Sequence, residues 1–167
     1  MDRTIKKTAL RVLAALSMTV AGTAIAATSG GAAEHKHEHG AAPATLQLDA
    51  GKKWETDAAL RQAMGNIRQT MAASLHEIHK NKLAKKGYAT LAHQVESEVG
   101  EIVANCKLAP KADAQLHLIV AELLTGAEQM AGKTKPINRQ NGAVQVINAL
   151  EKYSLYFDDV GFKPIRH

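Results

Sequence analysis

Residues 60–78 read LRQAMGNIRQTMAASLHEI, with a large apolar side chain at every third or fourth position. These positions are Leu60, Met64, Ile67, Met71, Leu75 and Ile78. An α-helix repeats about every 3.6 residues, so all of these side chains share one helical face. The stretch therefore predicts an amphipathic helix that buries this face against other helices. Thr56 is the expected N-cap, and Asp57 is expected in the first turn.

Three further stretches show the same periodicity. The second helix is expected to begin near Leu83 and to end before Pro110, because proline cannot continue a helix. The third is expected from about Lys111 to Ala131, and the fourth is expected to end by Gly161. The expected inward-facing residues of these helices are Tyr88, Leu91, Val95, Val99, Ile102, Cys106, Leu116, Val120, Leu123, Leu124, Ala127, Val146, Ile147, Leu150, Tyr153 and Phe157.

Together these patterns predict an all-α fold, an up-down-up-down antiparallel four-helix bundle. The first two connections are short, which favours antiparallel neighbours, and no segment alternates apolar and polar residues over the length of a strand. The expected organisation is a signal peptide (1–26), a disordered histidine-containing arm (27–45), an extended lead-in tethered by Trp54 (46–55), the bundle (56–162) and a C-terminal tail (163–167).

The first 26 residues have the three parts of a secretory signal peptide. Basic residues come first, an apolar run of small residues follows from Val12 to Ile25, and Ala24-Ile25-Ala26 fits an A-x-A cleavage site. The run is too short for a comfortable membrane span, so a retained anchor helix is the less favoured alternative. The sequence predicts export to the periplasm, with no membrane span once the signal is removed.

The charge and the cysteine count restrict the possible partners. Removal of residues 1–26 takes away four basic residues and one acidic residue, so the net charge falls from +5 to +2. This balance gives no support to a nucleic-acid partner. The single cysteine, Cys106, excludes an internal disulfide, so stability must come from an apolar core. A buried structural thiol is expected, with a reactive thiol, a copper(I) ligand or an intermolecular disulfide as alternatives.

Residues 35–39 read HKHEH and lie within a run rich in alanine and glycine. In an extended chain alternate side chains point the same way, about 7 Å apart. Three neutral imidazoles can then converge on one ion with modest bending, and imidazole suits copper(II), nickel(II) and zinc(II). His35, His37 and His39 are therefore the predicted metal ligands. The alternative is a solvated low-complexity tail whose histidines are incidental.

Two histidines close the first predicted helix. His76 and His79 are three residues apart and could share a surface metal, although a solvated helix end is the simpler interpretation. Their HEIH stretch is one residue short of the zinc-protease motif, whose histidines are four apart. His93 is expected to face water, since it lies opposite the apolar face of its helix.

His117 is expected at the edge of the core, because it lies roughly 60° from Val120 on a helical wheel. The simpler interpretation is a half-buried histidine that is hydrogen-bonded to Asp113 or to a backbone carbonyl. The alternative is a buried metal or haem ligand that approaches Met64 across the bundle, where Met64 would otherwise be ordinary core filling.

A signal peptide, four short antiparallel helices and an early methionine, Met64, resemble the small periplasmic bundles of the cytochrome b562 and cytochrome c-prime type. The resemblance implies a haem-binding bundle, with Met64 in the place of the methionine ligand of the b562 type. The chain departs from both patterns. It lacks Cys-x-x-Cys-His, and its last helix, EKYSLYFDDV, has no histidine, which leaves only His167 beyond Pro164. Haem is therefore not expected.

The sequence carries no enzyme signature. The inward glutamates and Glu-x-x-His motifs of ferritin-like di-metal proteins are missing, and GKTKP lacks the spacing of a phosphate-binding loop. The predicted function is a non-enzymatic periplasmic protein that buffers or carries copper, nickel or zinc. The alternatives are an envelope module whose bundle binds a protein partner and a b-type haem-binding bundle. The metal and the oligomeric state stay open.

Overall fold

A computed structural model describes residues 45–166. The expectations for the signal peptide, for the histidines at 35, 37 and 39 and for His167 lie outside the described residues. The elements are β1 (Trp54–Glu55), α1 (Ala58–His79), α2 (Lys85–Asn105), α3 (Pro110–Ala131), α4 (Arg139–Tyr156) and β2 (Phe157–Asp158). The fold is mostly helical with little strand, so the prediction of an all-α bundle is confirmed.

Hydrogen bonds between helix ends give the directions of α1, α2 and α4. Asp57, at the start of α1, accepts a hydrogen bond from the backbone N–H of Lys107, just beyond the end of α2 (2.6 Å). Gln140, near the start of α4, donates to the carbonyl oxygen of Ile78, near the end of α1 (2.7 Å). Both α2 and α4 therefore run antiparallel to α1.

α3 and α4 approach each other closely where two glycines face. A Cβ atom on Gly126 would lie 2.7 Å from the carbonyl oxygen of Gly142, and one on Gly142 would lie 2.6 Å from the carbonyl oxygen of Gly126. Further along, Lys152 Nζ lies 2.6 Å from Glu122 Oε1. Moving toward the end of α4 thus moves toward the start of α3, so these two helices are antiparallel as well.

The apolar faces of the four helices meet in one core, and no polar or charged residue among 45–166 is fully buried. Its largest fully buried side chains are Tyr153, Phe157, Leu60, Met64, Ile67, Met71, Ile78, Ile119, Leu123, Met130, Ile147 and Leu150. The predicted faces of α1 and α4 are thereby largely confirmed, with Leu75 only half-buried.

The buried face of α3 is rotated about the helix axis relative to the predicted face. Ile119 and Met130 are fully buried although neither was expected inside, whereas Val120 is half-buried and Leu124 is 37% exposed. The face is centred near Ile119 and Leu123 rather than on Val120. The error arose because every apolar residue of LHLIVAELL was a candidate, so periodicity alone left the centre of the face uncertain.

The N-terminus of α1 differs from the prediction by one residue. Asp57, and not Thr56, is the N-cap, because its Oδ1 accepts the backbone N–H of Leu60 (2.7 Å). The hydroxyl of Thr56 instead donates to the carbonyl oxygen of Asp158 (2.7 Å). Thr56 therefore connects the lead-in to the chain after α4.

The end of α4 also comes earlier than predicted. The helix stops at Tyr156, well before Gly161, because Phe157 is extended and pairs in parallel with Trp54. Trp54 is buried, and its indole N–H donates to the carbonyl oxygen of Gln47 (2.6 Å), which agrees with the expected tether in the lead-in. The two strands are only two residues long, so no alternation in the sequence could have indicated them.

The segment after β2, residues 159–166, packs along α1. Phe162 meets the ring of Tyr153 edge-on, with centroids 5.0 Å apart, and Ile165 is buried. Arg68 of α1 donates a hydrogen bond from Nε to the carbonyl oxygen of Lys163. The C-terminal segment is thus fixed by aromatic and apolar contacts and by one arginine.

Candidate functional site

His76 and His79 lie in the last turn of α1, and both are exposed. The backbone holds this turn in place, since Lys80 donates to the carbonyl oxygen of His76 (3.1 Å) and Asn81 to that of Ile78 (3.0 Å). Asn81 has a φ of 50°, a left-handed conformation that asparagine tolerates better than most residues. Both imidazoles therefore lie on one accessible, well-defined helix end.

The charges around this helix end act in opposite directions on a metal cation. The C-terminus of α1 carries the negative end of the helix dipole, which favours a bound cation. Four lysines follow within seven residues, at Lys80, Lys82, Lys85 and Lys86, and all are exposed. Their charges oppose a cation, though solvent and salt screen them. The two histidines in this setting therefore favour a weak surface site for a cation.

The other helical histidines are both on the surface. His93 is exposed, as predicted. His117 is not at the edge of the core, because its side chain is 71% exposed. Its Nδ1 lies 2.8 Å from the carbonyl oxygen of Asp113 and 3.4 Å from the Asp113 carboxylate, so the expected hydrogen-bond partner was right and the expected burial was wrong.

The position of His117 follows from the displaced face of α3. With the core centred near Ile119 and Leu123, His117 lies roughly 140° from that centre. Met64 is completely buried in the core and is ordinary apolar filling there. The structure therefore does not bring His117 and Met64 together as a ligand pair.

Cys106 lies at the junction of α2 and α1 and not on the buried face of α2. It is the C-cap of α2, with an extended backbone and a half-buried side chain. Burial and the nearby carboxylate of Asp57, which accepts a hydrogen bond from the thiol, raise the pKa of Cys106 to about 11. At neutral pH the thiol therefore stays almost entirely protonated. A structural thiol is thus favoured over a reactive one.

Within residues 45–166 no group of three or more His, Cys, Asp and Glu side chains is arranged to hold a metal ion. The three predicted ligands at 35, 37 and 39 precede this range, so metal capture by them stays a prediction. None of the helices between residues 45 and 166 is long and apolar enough to cross a membrane.

The chain matches no protein-family model, and comparisons with curated proteins and with solved structures found no match.

One basic groove was missed in the sequence. Arg61 and Arg68 lie seven residues apart on α1, and this spacing places them on one helical face. This spacing could have indicated a basic helical face from the sequence alone. The third basic residue, Lys163, comes close only because residues 159–166 pack against α1, and no local pattern indicates that contact.

Proposed function

We propose that this protein is exported to the periplasm and captures copper(II), nickel(II) or zinc(II) through His35, His37 and His39. The observation that carries the proposal is the spacing in HKHEH, three imidazoles at alternate positions within a run rich in alanine and glycine. Alternate side chains of an extended chain lie on one side, and imidazole is the commonest protein ligand of these ions. The role is buffering or carriage, with no catalytic step.

The helical body serves as the soluble carrier in this proposal. Its up-down-up-down bundle provides a stable apolar core without any disulfide. His76 and His79 are supported as supplementary ligands because both are exposed in one helical turn. A pair of imidazoles in one helical turn can give such an ion a second, weaker site on the helical body.

Isothermal titration calorimetry tests this function. The exported protein and its H35A/H37A/H39A variant are titrated with copper(II), nickel(II) and zinc(II) at pH 7.5. We expect the triple variant to lose most of the affinity, whereas H93A, which removes one exposed helical histidine, keeps it. Equal binding by the wild type and the triple variant would contradict the proposal.

The pH dependence of metal binding provides a second test. Protonated imidazole cannot coordinate a metal, so the affinity of the wild type should be lost as the pH falls through about 6. The H76A/H79A variant should keep the binding by His35, His37 and His39 with the same pH dependence and lose only the weaker second site. Binding that persists at pH 5 would indicate carboxylate ligands and not imidazoles.

A further inference from the structure

A basic groove runs between α1 and the C-terminal segment. Its volume is about 900 Å³, within the range of small-molecule sites. Three cationic residues and one acidic residue line it, together with two glutamines and two glycines. The lining residues are Arg61, Gln62, Gly65, Arg68, Gln69, Asp159, Gly161, Phe162 and Lys163. The adjoining groove adds the cation of Arg166.

The two arginines are held in place by the protein backbone. Nη1 of Arg61 donates to the carbonyl oxygen of Thr56 (2.7 Å) and to its hydroxyl (3.1 Å), while Nε of Arg68 donates to the carbonyl oxygen of Lys163. A guanidinium has five N–H donors in a planar fork. Most of these donors therefore stay available for a ligand. Because the two side chains are already ordered in the folded protein, a ligand loses little free energy in fixing them.

The acidic residue of the groove, Asp159, is engaged in a hydrogen bond within the protein. The carboxylate of Asp159 accepts a hydrogen bond from the hydroxyl of Tyr153 on α4 (3.0 Å). The carboxylate is thereby directed toward Tyr153. The positive charge of Arg61, Arg68 and Lys163 dominates the groove.

Gly65 leaves the floor of the groove open. A glycine within a helix is less favourable than alanine, so a packing or functional reason is expected for it. A Cβ atom on Gly65 would meet nothing within 4 Å, so close packing does not explain this glycine. This contrasts with Gly126, where a neighbouring helix occupies the space. Gly100 of α2 has equally open surroundings but lines none of this groove, which makes it a suitable control.

We propose that this groove binds a small anion with two or more negatively charged groups, a short polyphosphate or polycarboxylate. Arg61 and Arg68 are two helical turns apart, about 10 Å along α1, so an anion with separated charges can engage both. Gln62 and Gln69 add neutral donors, and Lys163 contributes charge from the opposite wall. Arginine forks match the oxygen geometry of phosphate and carboxylate groups.

Calorimetry of the full chain tests the site with inorganic tripolyphosphate, citrate and orthophosphate as probes. The protein is first freed of metal on a chelating resin, because a soluble chelator is itself a polyanion. Titration at pH 8 and fixed ionic strength keeps ordinary imidazoles neutral. We expect tripolyphosphate or citrate to bind at least tenfold more tightly than orthophosphate, which cannot bridge both arginines.

Two pairs of variants locate the binding. R61Q/R68Q should weaken binding at least tenfold, whereas K111Q, an exposed lysine at the start of α3, should change it less than twofold. G65L fills the floor without changing the charge and should also weaken binding at least tenfold, whereas G100L should not. Both leucines raise helix propensity, so neither variant is expected to unfold.

Three results would overturn the proposal. Unchanged affinity in G65L would show that the ligand does not enter the groove. Equal weakening in R61Q/R68Q and K111Q would indicate attraction by overall charge. Equal affinity for orthophosphate and tripolyphosphate would exclude the two-arginine clamp. None of these outcomes depends on metal capture, so the two proposals succeed or fail separately.

Discussion

The carboxylate of Asp57 joins the start of α1 to the end of α2 through its contact with Lys107. Its Oδ2 accepts the backbone N–H of Lys107 at 2.6 Å, while its Oδ1 caps α1 at Leu60. The thiol of Cys106 binds the same carboxylate. One side chain thus satisfies a backbone donor in the first turn of α1 and another just beyond α2, fifty residues away in sequence.

Replacement of Asp57 should separate these two roles. D57A should lower the free energy of unfolding by about 2 kcal/mol, since both the cap and the contact with Lys107 are lost. D57N should cost less, about 1 kcal/mol, because its amide oxygen can still cap α1 but its amide nitrogen cannot accept the second N–H. Urea denaturation measures both. Wild-type stability in D57A would refute this role.

The same carboxylate should make stability depend on acid pH. Burial alone would raise the pKa of Asp57, but the N–H groups of Leu60 and Lys107, the Cys106 thiol and the Arg61 charge together lower it below the ordinary 3.8. The contribution is therefore present above pH 4 and is lost as the pH falls through the lowered value. Unfolding midpoints measured from pH 6 to pH 3 should fall more steeply for wild type than for D57N. Parallel curves would contradict this assignment.

Cys106 should react slowly with thiol reagents in the native protein. Burial and the Asp57 carboxylate raise its pKa to about 11, so little thiolate is present at neutral pH. We expect reaction with an aromatic disulfide at pH 7.5 to be at least tenfold slower than for the chain unfolded in urea. A native rate equal to the unfolded rate would show that the thiol is neither buried nor held by Asp57.

The close approach of α3 and α4 should make Gly126 intolerant of a side chain. A Cβ there would lie 2.7 Å from the Gly142 carbonyl oxygen and 2.7 Å from Cγ2 of Val146. G126A should lower the free energy of unfolding by roughly 1–3 kcal/mol. G100A is the matched control and should raise it by about 0.5–1 kcal/mol, because that helical position is open. A stabilised G126A would mean that the helices are further apart than described.

Local sequence was sufficient for the helices and not for the contacts between them. Apolar spacing predicted all four helices, and Gly132 ends α3 in the left-handed conformation, as expected of a glycine C-cap. The pairing of Trp54 with Phe157 was missed, because it joins residues more than a hundred positions apart. Two-residue strands depend on tertiary contacts, and a period of two needs a longer run to be visible.

The site predictions divide in the same way: exposure followed from local periodicity, whereas contacts between distant residues did not. The exposure of His76 and His93 followed from the faces of their helices, which were placed correctly. His117 was misplaced because the face of α3 was centred on the wrong residue. The groove of Arg68 and Lys163 needed the docking of the C-terminal segment, which local periodicity cannot indicate.

The metal content of the protein isolated from the cells that naturally produce it tests the central claim most directly. Cells are grown with ample copper, nickel and zinc, and the purified protein is measured by mass spectrometry of the elements. Near-stoichiometric metal is predicted for the wild type and for H93A, with most of it lost in H35A/H37A/H39A. Wild-type protein that is free of transition metals under these conditions would contradict metal capture by these three histidines.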